Sequence, residues 1–590
     1  MDDLKAVGRP KSGQLEAILS LNRSAFARRA GWTAFFVLTA ILLLLSLKVL
    51  QASPTGMPNT AVFGSHLSLF ALLFYFWMGT MLYLAVRQNE NSWRTPILVC
   101  GFSAVFFGVW ILGAPLGFGT DAFNRVYLSD FVVQNGRLVF SNINLNYLQF
   151  PSFFLLVADS AMLSGWNVFA AMEVYLFASS IMISLLLYLF AKGIVGEKWA
   201  FLVVLVITMG ADIERVEGFS SISYSYVLLV LILVIFVRGL DRRRTISAAL
   251  VLPSFVTSYL PLPLYFFVFL MIGAILGAIF RKKFANPYIV ISFVLIWLGW
   301  LIFSSIQSVY GYIQIFSPYS LLAEPLARFS EIFSSGGSFV GQSVPSWISF
   351  TRLSWLVLLY GVGGPAFVLM LRAKRQDNQF KFLLAIGVLS VAIYSLFLLF
   401  SFNPVNVYSV QLVQSQWTRF LQLAPIFLFP TTVSLLASRK RSAAASSYFL
   451  LMILVFMLAF PSFLILAPNF ASSTIYPSDK TAVTFLTEFQ ANPMRVFSSN
   501  VDAALLSGEA YQIVYLPVPL SQTTSVSLSS NLTLQAIDWY KQSSLDSTFY
   551  VGSDFFPNGM PFPMALTASL RSTDLVYSSA GIELYSSLAR

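Results

Sequence analysis

The chain has 590 residues, of which 57% are apolar, 16% aromatic and only 10% charged, with a formal net charge of +11. A soluble globular domain carries about 25% charged residues, so this composition cannot cover a water-facing surface. The basic residues stand in short clusters beside apolar runs, which is a pattern of membrane topology rather than of a nucleic-acid-binding face.

A helix needs about 20 apolar residues to cross the hydrocarbon core. In chain order, spans are predicted near 30–50, 66–86, 95–116, 168–191, 199–211, 223–238, 246–259, 261–280, 287–306, 353–371, 380–402, 420–437 and 445–467. The expected fold is therefore a polytopic α-helical membrane protein of about thirteen transmembrane helices. The first run follows Arg28 and Arg29 and is too long for a signal peptide's apolar region, so it is expected to be retained. The runs 199–211 and 246–259 are short, and Pro261 and Pro263 break the second from 261–280. Tilted, broken or protein-packed segments are expected there. Pro151–Gly165 is apolar but too short to span. It reads as an interfacial or re-entrant helix, because Asp159 would otherwise face lipid.

Orientation follows from the loops. Arg87 and Arg94, Lys192 and Lys198, Arg238 with Arg242–Arg244, Arg281–Lys283, Arg372–Arg375 and Arg439–Arg441 all fall on alternate connections. The opposite loops hold only Arg125, Arg137, Arg215, Arg328 and Arg419. The positive-inside rule then sets residues 1–29 in the cytoplasm and the carboxy terminus outside. Residues 30–467 form the expected transmembrane domain, with large outer loops at 117–150 and 307–352; Ser334–Ser338 in the second reads as a mobile connector.

From residue 468 to 590 the composition turns polar. Helices are predicted at Asp479–Gln490 and Leu532–Tyr540. Short strands are predicted at Met494–Phe497, Gln512–Leu516, Thr548–Val551, Leu575–Tyr577 and Ile582–Tyr585. This suggests a small extracytoplasmic α/β domain. It contains no nucleophile elbow, phosphate-cradling glycine loop or metal cluster, and its sequon Asn531-Leu532-Thr533 is a common pattern.

The candidate functional residues lie on the outer side. Asp121 follows Gly113, Gly117 and Gly119, where the chain can turn sharply. A carboxylate there suits a general base, and equally a cap on the run beginning at Ala122. Asp212, Glu214, Arg215 and Glu217 make an acidic rim after the fifth span. They suit an acceptor hydroxyl or a divalent cation, Mg²⁺ or Mn²⁺, through oxygen ligands, and equally a solvated loop with an Arg–Glu pair. Arg419 and Arg328 suit a bidentate grip on a lipid phosphate, and equally interfacial anchoring. Glu173 lies within the fourth span. His66, the only histidine, and Cys100, the only cysteine, offer no thiolate or imidazole metal cluster.

The stretches Gly119-Thr120-Asp121-Ala122-Phe123-Asn124, Asp130–Gly136, Leu148-Gln149-Phe150-Pro151 and Leu163-Ser164-Gly165 resemble the first outer loop of GT-C superfamily glycosyltransferases. In those proteins an acidic residue opens the loop, a short helix ends in a glycine, and a Pro-initiated helix leads to a small-residue–Gly turn. Thr257-Ser258-Tyr259, Arg419 and the closing Val576–Tyr585 extend the resemblance over most of the chain. It implies transfer of a sugar, usually with inversion, from a polyprenyl-phosphate carrier to a glycan, lipid or protein acceptor outside the cell membrane. In that reading Asp121 deprotonates the acceptor, Arg419 with Arg328 holds the carrier phosphate, and Glu214, Glu217 and Asp212 line the acceptor side. The broken helices around Pro261 would open a groove for the lipid. The tail has no Trp-Trp-Asp motif, so the oligosaccharyltransferase branch is not expected; the first loop lacks the Asp-Glu pair of protein mannosyltransferases, and the absent histidine-bearing motifs argue against metal use and leave room for a member that has lost catalysis. The alternative is a non-catalytic polyprenyl-lipid-binding or scaffold protein of cell-envelope assembly.

Overall fold

The computed structural model describes residues 29–45, 60–87, 93–113, most of 128–136, 150–210, 221–237, 242–281, 287–304, 346–372, 378–400, 423–438 and 441–471. It also describes strand segments at 495–498, 512–515, 547–551, 574–579 and 582–586. The helices predicted at Asp479–Gln490 and Leu532–Tyr540, the sequon at Asn531, segment 1–26 and most of loops 117–150 and 307–352 lie outside the described residues.

Every predicted span coincides with helix. In chain order these are α1 (Arg29–Leu45), α2 (Thr60–Val86), α3 (Arg94–Phe106) with its continuation α4 (Gly108–Gly113), and then α5 (Ser152–Ser164). There follow α6 (Val168–Val195), α7 (Glu197–Gly210), α8 (Ser221–Val237), α9 (Arg242–Val256), α10 (Pro261–Ile279) and α11 (Pro287–Phe303). The last are α12 (Ser346–Leu356), a π-helical turn Val357–Val362, α13 (Gly363–Arg372), α14 (Asn378–Phe400), α15 (Ala424–Ala437) and α16 (Arg441–Ala471). Among the described residues, five segments are long and apolar enough to cross a membrane: Leu69–Val86, Ala170–Val195, Pro261–Ile279, Leu353–Arg372 and Ser442–Phe463.

The short helices have a physical explanation. With 14 residues, α7 reaches only about 21 Å at 1.5 Å per residue, less than the hydrocarbon core. Ala200 through Met209 are all buried, so α7 is wrapped by protein and need not match the bilayer. Helix α12 starts at Ser346, ahead of the predicted 353. Thr351 and Arg352 lower the local hydropathy, but hydropathy is not helicity, and Thr351 is buried.

Several basic connections are brought together at helix ends. There α1 starts where α2 finishes: a Cβ on Gly31 would lie 3.1 Å from Leu84. Thr95 at the start of α3 and Lys192 at the end of α6 both bond to Glu197 at the start of α7. Gly193 abuts Val237 at the end of α8, Trp199 stacks edge-on with Tyr448 at the start of α16, and Phe280 meets Phe382 of α14. The alternation read from charge is thus an alternation of helix direction.

Helix α6 is the hub, packing on α3, α4, α5, α7, α8 and α15. Small residues allow the close approaches. A Cβ on Gly108 would lie 2.7 Å from Phe177 of α6, and Gly387 of α14 sits against the Phe427 ring of α15. Buried hydroxyls stitch the helices: Ser103 donates to the Ser180 carbonyl at 2.7 Å, and its oxygen lies 3.0 Å from that of Ser184. Such intramembrane bonds are worth about 0.6 kcal/mol each, because partners are also found in the unfolded membrane state. Much of the aromatic content is core rather than lipid-facing surface. Phe35, Trp77 and Phe102 stack in sequence across α1, α2 and α3, and Phe70 and Phe74 pack on Phe460 and Phe463 of α16.

The five strands predicted in the tail are present: β1 (Arg495–Ser498), β2 (Gln512–Tyr515), β3 (Ser547–Val551), β4 (Asp574–Ser579) and β5 (Ile582–Ser586). They form one sheet in the order β2-β1-β3-β5-β4. The β1 strand pairs in parallel with β2 and β3, with Phe497 opposite Val514 and Phe549. The β5 strand pairs antiparallel with β3 and β4, and the register shifts between Leu575 and Tyr577.

Candidate functional site

The candidate residues fall in four segments between helices, none of them a basic connection. Residues 114–127, after α4, include Asp121; residues 211–220, between α7 and α8, include Asp212, Glu214 and Glu217. Arg419 precedes α15 by a few residues, and Arg328 lies between α11 and α12. The side chains of Asp121, Asp212, Glu214, Glu217, Arg328 and Arg419 lie outside the described residues. The helices that carry them do not. Helices α4, α7, α8 and α15 all pack on α6, and α12 packs on α7 and α16.

The first-loop motifs have the local structure their residues dictate. Residues 128–134 are largely helical, with Gln134 donating to Asp130 at 2.6 Å. The segment closes at Gly136, where φ is +61°, a backbone state glycine adopts without a Cβ penalty. Pro151 then initiates α5, which ends at Gly165 with φ +68°. Asn167 caps α6 by accepting from the Ala170 amide at 2.7 Å. Helix α5 buries Phe153, Phe154, Val157, Ala158 and Ala161 and exposes Asp159 and Leu163.

Two motifs distant in sequence meet here. The Ser152 amide, at the start of α5, donates to the Thr257 carbonyl at 3.2 Å, and the two hydroxyls pair. Thr257 spends its own proton on the Pro253 carbonyl at 2.8 Å, so Ser152 is the donor between them. The contact gives the part-buried start of α5 a partner for one of its orphan amides. Replacing Ser152 by Ala removes one of the two bonds and is expected to cost about 1 kcal/mol. Unfolding of the detergent-solubilised protein measures this, and Ser152→Ala matching the native curve would refute the clamp.

Around this junction the residues are aromatic and hydroxylic. The Phe153 ring lies 5.3 Å from Tyr175 and 6.3 Å from Tyr224, tying α5 to α6 and α8. The Tyr394 hydroxyl of α14 donates to the Pro261 carbonyl at 3.1 Å, fixing the turn between α9 and α10. Phe255 of α9, Phe266 of α10 and Phe293 of α11 pack ring to ring, all buried. Glu173 is half-buried on α6. The His66 side chain is outside the described residues. Among the described residues, no group of three or more His, Cys, Asp or Glu side chains could hold a metal ion.

Charge reading of the sequence passed over one polar centre, at the basic end. Glu197 is buried, accepting from Thr95 at 2.8 Å and from Lys192 at 2.9 Å, while the Lys192 ammonium lies 5.9 Å from the Tyr188 ring centroid. Its signal was an acidic residue wedged between Lys192 and Lys198 in a connection otherwise basic.

No family model and no curated protein matches the chain. Solved structures do. The Archaeoglobus fulgidus oligosaccharyltransferase in its apo form matches with a TM-score of 0.46 at 11% identity, over 79% of this chain and 70% of that one. The same enzyme tethered with an acceptor peptide containing the NVT sequon matches with a TM-score of 0.46 at 9% identity, over 83% and 73%. The arabinofuranosyltransferase AftD from Mycobacteria matches with a TM-score of 0.45 at 13% identity, over 85% of this chain and 42% of that one. The chain is similar to membrane enzymes named for glycosyl transfer.

Proposed function

We propose that the chain is a GT-C-type glycosyltransferase of the cell membrane, using a polyprenyl-phosphate-linked sugar as donor on the extracytoplasmic side. The basic end of the bundle faces the cytoplasm, and the far end, with the tail from about residue 468, faces outward. The acceptor hydroxyl, on a glycan, lipid or protein, attacks the anomeric carbon. Its proton passes to Asp121, the bond from that carbon to the phosphate oxygen breaks, and the polyprenyl phosphate leaves. Arg419, with Arg328, receives the negative charge that develops on the phosphate. Glu214, Glu217 and Asp212 orient the acceptor or hold a divalent cation such as Mg²⁺ or Mn²⁺, whose preference is for oxygen ligands.

The observation that supports this reading is the packing of α4, α7, α8 and α15 on one helix, α6. The helices next in sequence to Asp121, to the acidic rim and to Arg419 therefore share one packing partner. The Pro-initiated helix and glycine-closed segment of the first-loop pattern add to it. Deleting the gene is expected to remove one sugar from the lipid-linked or surface glycans and to leave its polyprenyl-phosphate form in excess. Mass spectrometry of both glycan pools tests this, and a glycan profile identical to the parent strain's would overturn the enzymatic reading.

A further inference from the structure

Five helices, α1, α2, α3, α6 and α7, bring cations into one corner of the bundle. The start of α1 lies beside the end of α2, since a Cβ on Gly31 would sit 3.1 Å from Leu84 and 3.7 Å from Tyr83. Both α1 and α3 run away from that terminus, and the Phe35 ring of α1 occupies the place a Cβ on Gly101 of α3 would take. Phe35 lies six residues after Arg29 and Gly101 seven after Arg94, so the two arginines stand at nearly the same depth. Thr95, next to Arg94, and Lys192 at the end of α6 both bond to Glu197, which precedes Lys198 in α7.

The corner is strongly positive. Arg29, Arg87, Arg94, Lys192 and Lys198 stand against Glu197 and, by sequence, Glu90 of the α2–α3 connection: five cations to two carboxylates. Glu197 is buried and engaged with Lys192 and Thr95. Among the described residues, Arg29, Arg87 and Lys198 are exposed and have no carboxylate partner. Interleaved with the cations are aromatic rings that protein leaves uncovered. Trp93 is 71% exposed, with the Arg94 guanidinium 5.8 Å from its ring centroid, and the exposed Tyr83 ring lies 5.7 Å from the Arg87 guanidinium. Phe36 and Val37 continue an exposed apolar surface inward along α1. Cations and Trp/Tyr rings giving way to bare apolar side chains match a phospholipid from headgroup to acyl chain.

We infer that this corner binds the headgroup of an anionic phospholipid in the leaflet at the basic end. Guanidinium and ammonium groups donate to its phosphate diester. The excess of positive charge disfavours a zwitterionic headgroup, which brings a cation of its own. The inference goes beyond sugar transfer and needs only that the bundle lies in a membrane. It is tested on the purified full chain in micelles holding equal amounts of phosphatidylglycerol and phosphatidylcholine, with retained lipid counted by native mass spectrometry. Phosphatidylglycerol should be retained in preference. Arg29→Gln, Arg87→Gln and Lys198→Gln should each weaken its retention about fivefold, and the triple variant about a hundredfold. Unfolding curves confirm that the variants fold; should the triple variant not fold, Lys198→Gln alone carries the test. A matched triple variant at other helix ends, Arg243→Gln with Arg281→Gln and Arg372→Gln, should keep the preference. Equal loss from that control means diffuse charge and overturns the site, as does equal retention of the two lipids. Displacement of the lipid by the same concentration of glycerol phosphate would mark a phosphate site without a lipid, and overturns it too.

Discussion

In cells whose only copy carries Asp121→Asn, the glycan product is expected to fall by about 10²–10⁴-fold, the usual contribution of a positioned base. Asparagine is the informative replacement. It has the size of aspartate and caps a helix about as well, so it preserves the competing role at the start of the run from Ala122. What it cannot do is accept a proton from an attacking hydroxyl. If Asp121 is a cap, Asp121→Asn leaves the product unchanged while Asp121→Ala lowers stability by about 1 kcal/mol. If it is the base, both substitutions abolish product and Asp121→Asn leaves the protein's thermal unfolding as it was. Full product from Asp121→Asn, beside loss of product on gene deletion, would remove Asp121 from the chemistry while keeping the chain an enzyme.

The bundle was legible because the bilayer is a uniform solvent: a segment's hydropathy and the charges at its ends are local properties that report membrane crossing directly. Even the marginal segments were marked, and α7 turned out short because protein rather than lipid surrounds Ala200–Met209. The tail's strands were legible through runs such as Gln512–Tyr515 and Ile582–Ser586, bounded by polar residues; their parallel and antiparallel pairing was not. The candidate site is readable in the sequence only as residue types on predicted outer loops. What the sequence does not announce are hydroxyl and indole contacts between positions about a hundred residues apart: Ser152 with Thr257, and Trp355 with Ser462. A lone serine in an apolar run has no periodicity or spacing to announce its partner.

Glu197 should prove the costliest polar residue to remove from the basic end. Its side chain is 5% exposed and that of Lys192 35%. Glu197→Gln keeps the shape and the acceptor for Thr95, but it replaces the charge that faces the ammonium. Breaking a fully buried pair costs about 3–5 kcal/mol. Lys192 is partly exposed and can turn to water, so about 1–3 kcal/mol is expected here. Lys192→Met in the Glu197→Gln background should recover much of that loss, because no cation then remains to be stranded and the methionine still covers Tyr188. The double-mutant cycle, followed by unfolding in detergent, is therefore expected to show coupling of about 1–2 kcal/mol. Additive losses would mean that the two side chains only happen to lie together. Of the three helices joined there, α3 (through α4) and α7 precede the segments with Asp121 and the acidic rim. Weakening the pair should thus lower product in proportion to folded protein, with activity per folded molecule unchanged, which separates this distant structural joint from the site it supports.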